Sequence, residues 1–185
     1  MSERLRKRQS PVRPPRVSPV LVEAEGVWPN NGRLPLLVYR AAFDLGGGDP
    51  AAAIEAVLDA NGWDHGWRDG VLGYHHYHST AHEVLGVYGG SARIQLGGPA
   101  GPVLEAGRGD VLVLPAGVAH RRLEASPDFR VVGHYPRGQH HDMCYGEPGE
   151  RPAADGRIGS VPLPPADPVY GPDGPLAIHW GLREA

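Results

Sequence analysis

GVLGYHHYHSTAHEVLGVYGG, residues 70–90, places four histidines and a glutamate within the ten positions 74–83. Histidine is the side chain whose charge switches near neutral pH and the commonest metal ligand. In an extended chain alternate side chains share a face, so His76 and His78 point one way while His75 and Tyr77 point the other. Glu83 follows the polar stretch Ser79–His82, which suits a turn, so a neighbouring strand can return its carboxylate to the two imidazoles. Downstream, His120 follows LPAGVA, in which Pro115 and Gly117 favour a tight turn before a strand. Three imidazoles and a carboxylate make a mixed N/O donor set for iron, manganese, nickel, copper or zinc. No thiolate lies nearby, which argues against a Cys-rich structural zinc.

Outward from this cluster, the chain reads as one mostly-β domain. Its 185 residues suit a single core, and 21% charged with 41% hydrophobic residues excludes a disordered class. Scattered among them are 27 Gly and 20 Pro, which suggest many short strands joined by tight turns. Strand-length runs occur at 35–41, 71–78, 83–89, 92–97, 102–106, 110–115, 118–124 and 129–135, a spacing that fits an antiparallel sandwich or barrel. One helix is expected over 50–60: Asp49 is an N-cap, Pro50 starts it, Ile54, Val57 and Leu58 share a face, and Gly62 follows its end.

Residues 1–16 carry six Lys/Arg against Glu3, a net of +5, so with the whole chain at −3 the remainder stands at −8. No apolar h-region follows this basic start and no run is long enough to span a membrane, so residues 1–18 read as a disordered basic tail and 19–185 as one domain. The acidic body argues against nucleic acid as a partner. With Cys144 alone, no internal disulfide can form and a cytoplasmic location is expected. Residues 136–185, dense in Pro and Gly, read as an extended C-terminal arm around the barrel core at 70–135.

The spacings carry a resemblance. Gly70, His76, His78, Glu83 and Gly90 form one set, and Gly109, Pro115, Gly117, His120 and Glu124 a second. Both resemble the signature motifs of the cupin superfamily, nine of ten fixed positions agreeing; the tenth, Glu124, stands where the family has Asn, a change expected at the barrel end or pocket. HHYHSTAHEVLGVYGGSA with DPVYGPDGPL is further similar to the small YjlB-like cupins, a likeness extending over most of the chain beyond residue 28. The resemblance implies an all-β double-stranded β-helix, the jelly-roll barrel, with one short N-terminal helix. It also implies a metal centre of His76, His78, Glu83 and His120. His75 and His82 take surface or supporting roles, with His82 as the alternative to Glu83. Tyr74 and Arg122, which share strand parity with the ligands, are candidate pocket residues. His134, His140, His141 and Cys144 have no motif role.

The function implied is a small-molecule metalloenzyme of the dioxygenase or oxidoreductase kind. Its alternatives are a non-redox isomerase or lyase and a non-catalytic small-molecule or metal-binding cupin, since the fold hosts all of these. A homodimer built by pairing or covering edge strands is the expected assembly.

Overall fold

The computed structural model describes residues 10–182. Nine strands and three short helices follow in order: β1 (Val17–Val22), β2 (Asn31–Tyr39), α1 (Pro50–Ala60), β3 (Trp63–Asp69), β4 (Glu83–Gly89), β5 (Ser91–Leu96), β6 (Val103–Gly107), β7 (Val111–Leu114), β8 (His120–Ala125), β9 (Arg130–Pro136), α2 (Ala153–Ser160) and α3 (Pro175–His179). They form a six-stranded antiparallel sheet, β1-β2-β7-β4-β9-β3, and a three-stranded one, β6-β5-β8. This is the two-sheet jelly-roll expected.

Side-chain alternation explains how the large sheet is buried on both faces. Leu36, Val38, Leu85, Val87, Leu112, Leu114 and Val131 face the small sheet and pack with Ile94, Leu96 and Phe129 as the barrel interior. Their neighbours Leu37, Tyr39, Val84, Val111, Val113 and Val132 face outward, under Ile54 and Leu58 of α1 and under Leu176 and Trp180 near the C-terminus. Each large apolar side chain so enclosed contributes about 1.5–3 kcal/mol. α1 spans the residues its sequence indicates, with Asp49 Oδ1 accepting from the Ala51 and Ala52 amides.

Three expectations need correction. Residues 71–78 are not a continuous strand: a bend at 73–74 interrupts the chain, and beyond it the pairing is limited to isolated bridges, His76 with His120 and Tyr77 with Cys144. Part of the expected tail, residues 1–9, lies outside the described residues. Residues 10–18 are held against the body: Val12 bridges Phe43, Arg13 pairs with Asp44 at 2.9 Å, and β1 begins at Val17. Val12 and Val17 give that segment apolar contacts with the outer core, which its basic composition conceals.

The C-terminal stretch, read as an extended arm, instead contains α2 and α3 and buries Asp167, Val169, Leu176 and Trp180. Asp167 organises it. Its Oδ1 accepts from the Val169 and Tyr170 amides, and its Oδ2 accepts from the Leu176 amide and the Tyr39 hydroxyl. No helix among the described residues is long and apolar enough to cross a membrane.

Candidate metal centre

The bridge between His76 and His120 is a pair of backbone hydrogen bonds, His76 N to His120 O at 3.2 Å and His120 N to His76 O at 3.0 Å. It joins the two motif segments edge to edge. His78, two residues on, projects to the same side, and its carbonyl accepts from Gly117 N at 2.8 Å. Gly117 has φ +94°, and a Cβ there would lie 2.3 Å from Asn30 O, so this close turn requires glycine. Glu83 opens β4 opposite Leu114 and points into the barrel with Leu85 and Val87.

The three imidazoles are all buried, and one nitrogen of each lies within 4.8 Å of the others. Each Nδ1 faces a backbone carbonyl: His76 with Tyr74 O at 3.2 Å, His78 with Asp142 O at 2.5 Å, His120 with Val118 O at 3.0 Å. A carbonyl only accepts, so each Nδ1 carries the proton in the neutral ring and each Nε2 keeps its lone pair. Glu83 Oε2 lies 3.4 Å from His78 Nε2 and 3.5 Å from His120 Nε2, without a well-formed hydrogen bond, while Oε1 accepts from Tyr135 OH at 3.0 Å. Three imidazole lone pairs and one unpartnered carboxylate oxygen therefore converge in a buried space. This donor set and its outward anchoring fit a divalent transition metal.

The electrostatics follow from the same packing. Burial, with His120 next, pushes the His76 pKa down to about 3. Burial opposes the charges of Glu83 and His78 as well, but their mutual attraction outweighs it: the Glu83 carboxyl is held well below the usual range and His78 is raised.

A cavity of about 240 Å³ opens beside the cluster. His76, His78, Glu83 and His120 form its floor, and Trp67, Val71, Leu72, Leu85, Tyr135 and Met143 much of its wall. Trp67 lies over Gly133, where a Cβ would come 2.2 Å from the indole, and donates from Nε1 to Tyr135 OH at 2.9 Å. Tyr135 thus links Trp67 to Glu83. His141 also lines the cavity, stacked on Tyr135 with ring centroids 4.4 Å apart.

The other candidates fall elsewhere. Tyr74 and Arg122 do not line the cavity; both are exposed at its rim, because the bend at 73–74 turns Tyr74 outward and Arg122 lies beyond the bridge, beside Gly73. Glu124 is exposed and pairs with Arg93 at 3.4 Å. Neither His75 nor His82 is a surface residue. His75 is buried against Trp28, and His82, 1% exposed, accepts from Ala116 N through Nδ1 and packs on Trp180, directed away from Glu83. His134 is buried as well, with Nε2 3.6 Å from Asp59. Cys144 is buried and pairs with Tyr77 through the backbone. Tyr135, His141, Met143 and Trp67 were not expected at the site. For Tyr135 a signal existed: it alternates with Val131 and Gly133 along FRVVGHY, on the barrel face.

No family model matches the chain. It is 42% identical over 156 residues to the uncharacterized protein YjlB of Bacillus subtilis (strain 168), covering 84% of this chain and 92% of that protein. Among solved structures, procruciferin, the 11S globulin of Brassica napus, is 15% identical with a TM-score of 0.35; the match covers 70% of this chain and 27% of the globulin, about a quarter of its length. The dTDP-6-deoxy-D-glucose-3,5-epimerase RmlC of Legionella pneumophila Philadelphia 1 is 15% identical with a TM-score of 0.36, over 68% of this chain and 74% of the epimerase. At such distances neither structure bears on activity.

Proposed function

The chain belongs to the family of YjlB and its two motifs resemble those of the cupin superfamily, and on that premise we propose that it is a small-molecule metalloenzyme of the oxidoreductase, dioxygenase-like kind. His76, His78, Glu83 and His120 are the proposed ligands of one divalent transition metal. One observation carries the proposal: all three Nδ1 positions are anchored on backbone carbonyls, leaving three Nε2 lone pairs and an unpartnered Glu83 oxygen directed at one another. Such a set suits iron, manganese, nickel, copper or zinc. A redox-active ion there supplies a path for oxygen chemistry, and a redox-silent one supplies Lewis acidity.

The chain's own residues have definable tasks. The backbone carbonyls of Tyr74, Asp142 and Val118 fix the ring orientations before anything binds, which lowers the cost of assembling the site. Tyr135 occupies Glu83 Oε1 and leaves Oε2 as the free donor. Trp67, Val71 and Leu85 form an apolar wall that limits water beside the cluster, a setting that favours a small molecule over bulk solvent. The proposed assembly is a homodimer, to be tested by light scattering.

The deciding experiment is elemental analysis of untagged protein purified without added metal, with an oxygen-electrode trace on the same sample. Near-stoichiometric iron, manganese, nickel or copper and substrate-dependent oxygen uptake are expected. Zinc with turnover in the absence of oxygen would replace the proposal by an isomerase or lyase, and tight ligand binding without turnover by a binding protein.

A further inference from the structure

The cavity and its rim differ in character from the cluster at its floor. Among the described residues no lysine or arginine lines the cavity, and Asp69, at its wall, is the one charged residue besides the floor cluster; Arg122 is exposed at the rim, by Gly73. Trp67, Val71, Leu72, Leu85 and Met143 present apolar surface. The apolar character continues outward: Leu72 and Met143 are 37% and 38% exposed, and two positions on from each Tyr74 and Tyr145 are 53% and 43% exposed. The Tyr74 and Tyr145 rings are 6.1 Å apart, and Tyr74 stands 6.2 Å from the His76 ring. The backbone pairing of Tyr77 with Cys144 holds these two segments side by side. An apolar track thus runs from a ligand histidine to the surface, where large exposed hydrophobic side chains mark binding surfaces.

Resting on the metal-centre reading above, we propose that the natural ligand has two parts: an oxygen-donor head that reaches the histidine cluster, and an uncharged aromatic or branched aliphatic tail. The tail lies between Trp67, Leu72 and Met143 and continues over Tyr74 and Tyr145. A carboxylate or phosphate on the inner part of the tail is rejected, because it would leave water for a wall to which no described lysine or arginine contributes and would approach Asp69. The inner part of the track selects for apolar character, and the tyrosine rim selects for length.

The test uses hydroxamates, which share one chelating head and vary in tail. Zinc-loaded full-length protein is titrated calorimetrically with acetohydroxamate, benzohydroxamate, 4-phenylbenzohydroxamate and 4-carboxybenzohydroxamate. Burying the ring should make benzohydroxamate tighter than acetohydroxamate by about tenfold or more. The 4-carboxylate should lose at least that gain, and Met143→Arg, at an exposed position, should restore it. Tyr145→Ala should weaken the phenyl-extended compound about threefold or more while leaving benzohydroxamate unchanged. Equal binding of the aceto and benzo compounds, or tighter binding of the carboxylate to the wild type, overturns the tail assignment and leaves the metal centre standing. Protein that takes up no zinc, or zinc-loaded protein that binds none of the four, overturns the metal centre and this assignment with it.

Discussion

Tyr135→Phe isolates one hydrogen bond at the heart of the candidate site. The hydroxyl donates to Glu83 Oε1 at 3.0 Å and accepts from Trp67 Nε1 at 2.9 Å. Removing it takes a donor from a carboxylate that is 2% exposed, whose other oxygen already has no hydrogen-bond partner. A hydrogen bond to a charged group contributes roughly 1.5–3 kcal/mol. Trp67 is only half-buried and can recover its lost acceptor from water, so its share is about 0.5 kcal/mol. In metal-free protein the substitution should therefore cost about 2–3.5 kcal/mol, or about 4–14 °C in Tm for a chain of this size. A cation against Glu83 supplies a partner for the carboxylate, so the cost in metal-loaded protein should be smaller. Urea unfolding of both proteins, with chelator and with metal, measures the four quantities. A loss below about 0.5 kcal/mol in chelator would show that Tyr135 does not hold Glu83. An equal loss in both conditions would show that no cation sits at Glu83.

Four further outcomes are expected. His76→Ala or His120→Ala should abolish most metal binding while the far-ultraviolet circular dichroism stays native, because the surrounding turns and bridges persist; unchanged metal content by elemental analysis would contradict the assignment. Glu83→Ala should weaken metal binding whereas His82→Ala keeps it, since His82 turns toward Ala116 and Trp180; the reverse order would exchange the two neighbours' roles. Asp167→Ala leaves the Tyr39 hydroxyl and three backbone amides without their acceptor, and should cost about 3–6 kcal/mol in urea unfolding, a large share of a typical domain's stability; a loss under about 1 kcal/mol would deny it the organising role. The fourth concerns acid. Burial lowers the His82 pKa from 6.5 to about 4, so the unfolded chain takes up this proton first and stability falls as pH drops from about 6.5 to about 4. The His82 share of that loss is about 3 kcal/mol, and His82→Gln in chelator should remove it from the difference between pH 7 and pH 4; an undiminished difference would place the acid sensitivity elsewhere.

What was legible in advance follows physical signals of short range. α1 was readable to its ends because its cap, its first-turn proline and its apolar face are all local. The meeting of His76, His78, Glu83 and His120 was readable because fixed spacings, with Pro115 and Gly117 at the turn, encode it. β3, WDHGWRD, escaped because it lies at a sheet edge and its composition is polar and aromatic without clean alternation. α2 and α3 were hidden in Pro- and Gly-rich sequence, α3 being a single short turn whose chief sign is Pro175. His141 and Met143 could not be placed at the cavity: they reach it through hydrogen bonds between Asp142 and Ser79, 63 positions apart, which no periodicity announces. His75 and His82 read as surface or supporting residues, and their burial, which removes the surface reading, was hidden for a related reason: their cover comes from Trp28 and Trp180, remote in sequence.

Strand β4 lies between two interiors, with Glu83, Leu85 and Val87 turned to the barrel and Val84 to the layer beneath α1. Because side chains alternate with a period of two, moving the strand by one position would carry Val84 to the histidines and leave a carboxylate beneath α1. Both sides are enclosed, so neither could accept the exchange. Inserting or deleting one residue between His78 and Glu83 is thus a graver lesion than most replacements of the letters there. A change of length at 46–48, an exposed stretch ahead of α1, has no second interior to invert. The chain's capacity to vary is in this sense divided: its loops can change in length, whereas the interval of four residues between two members of the cluster must be inherited intact.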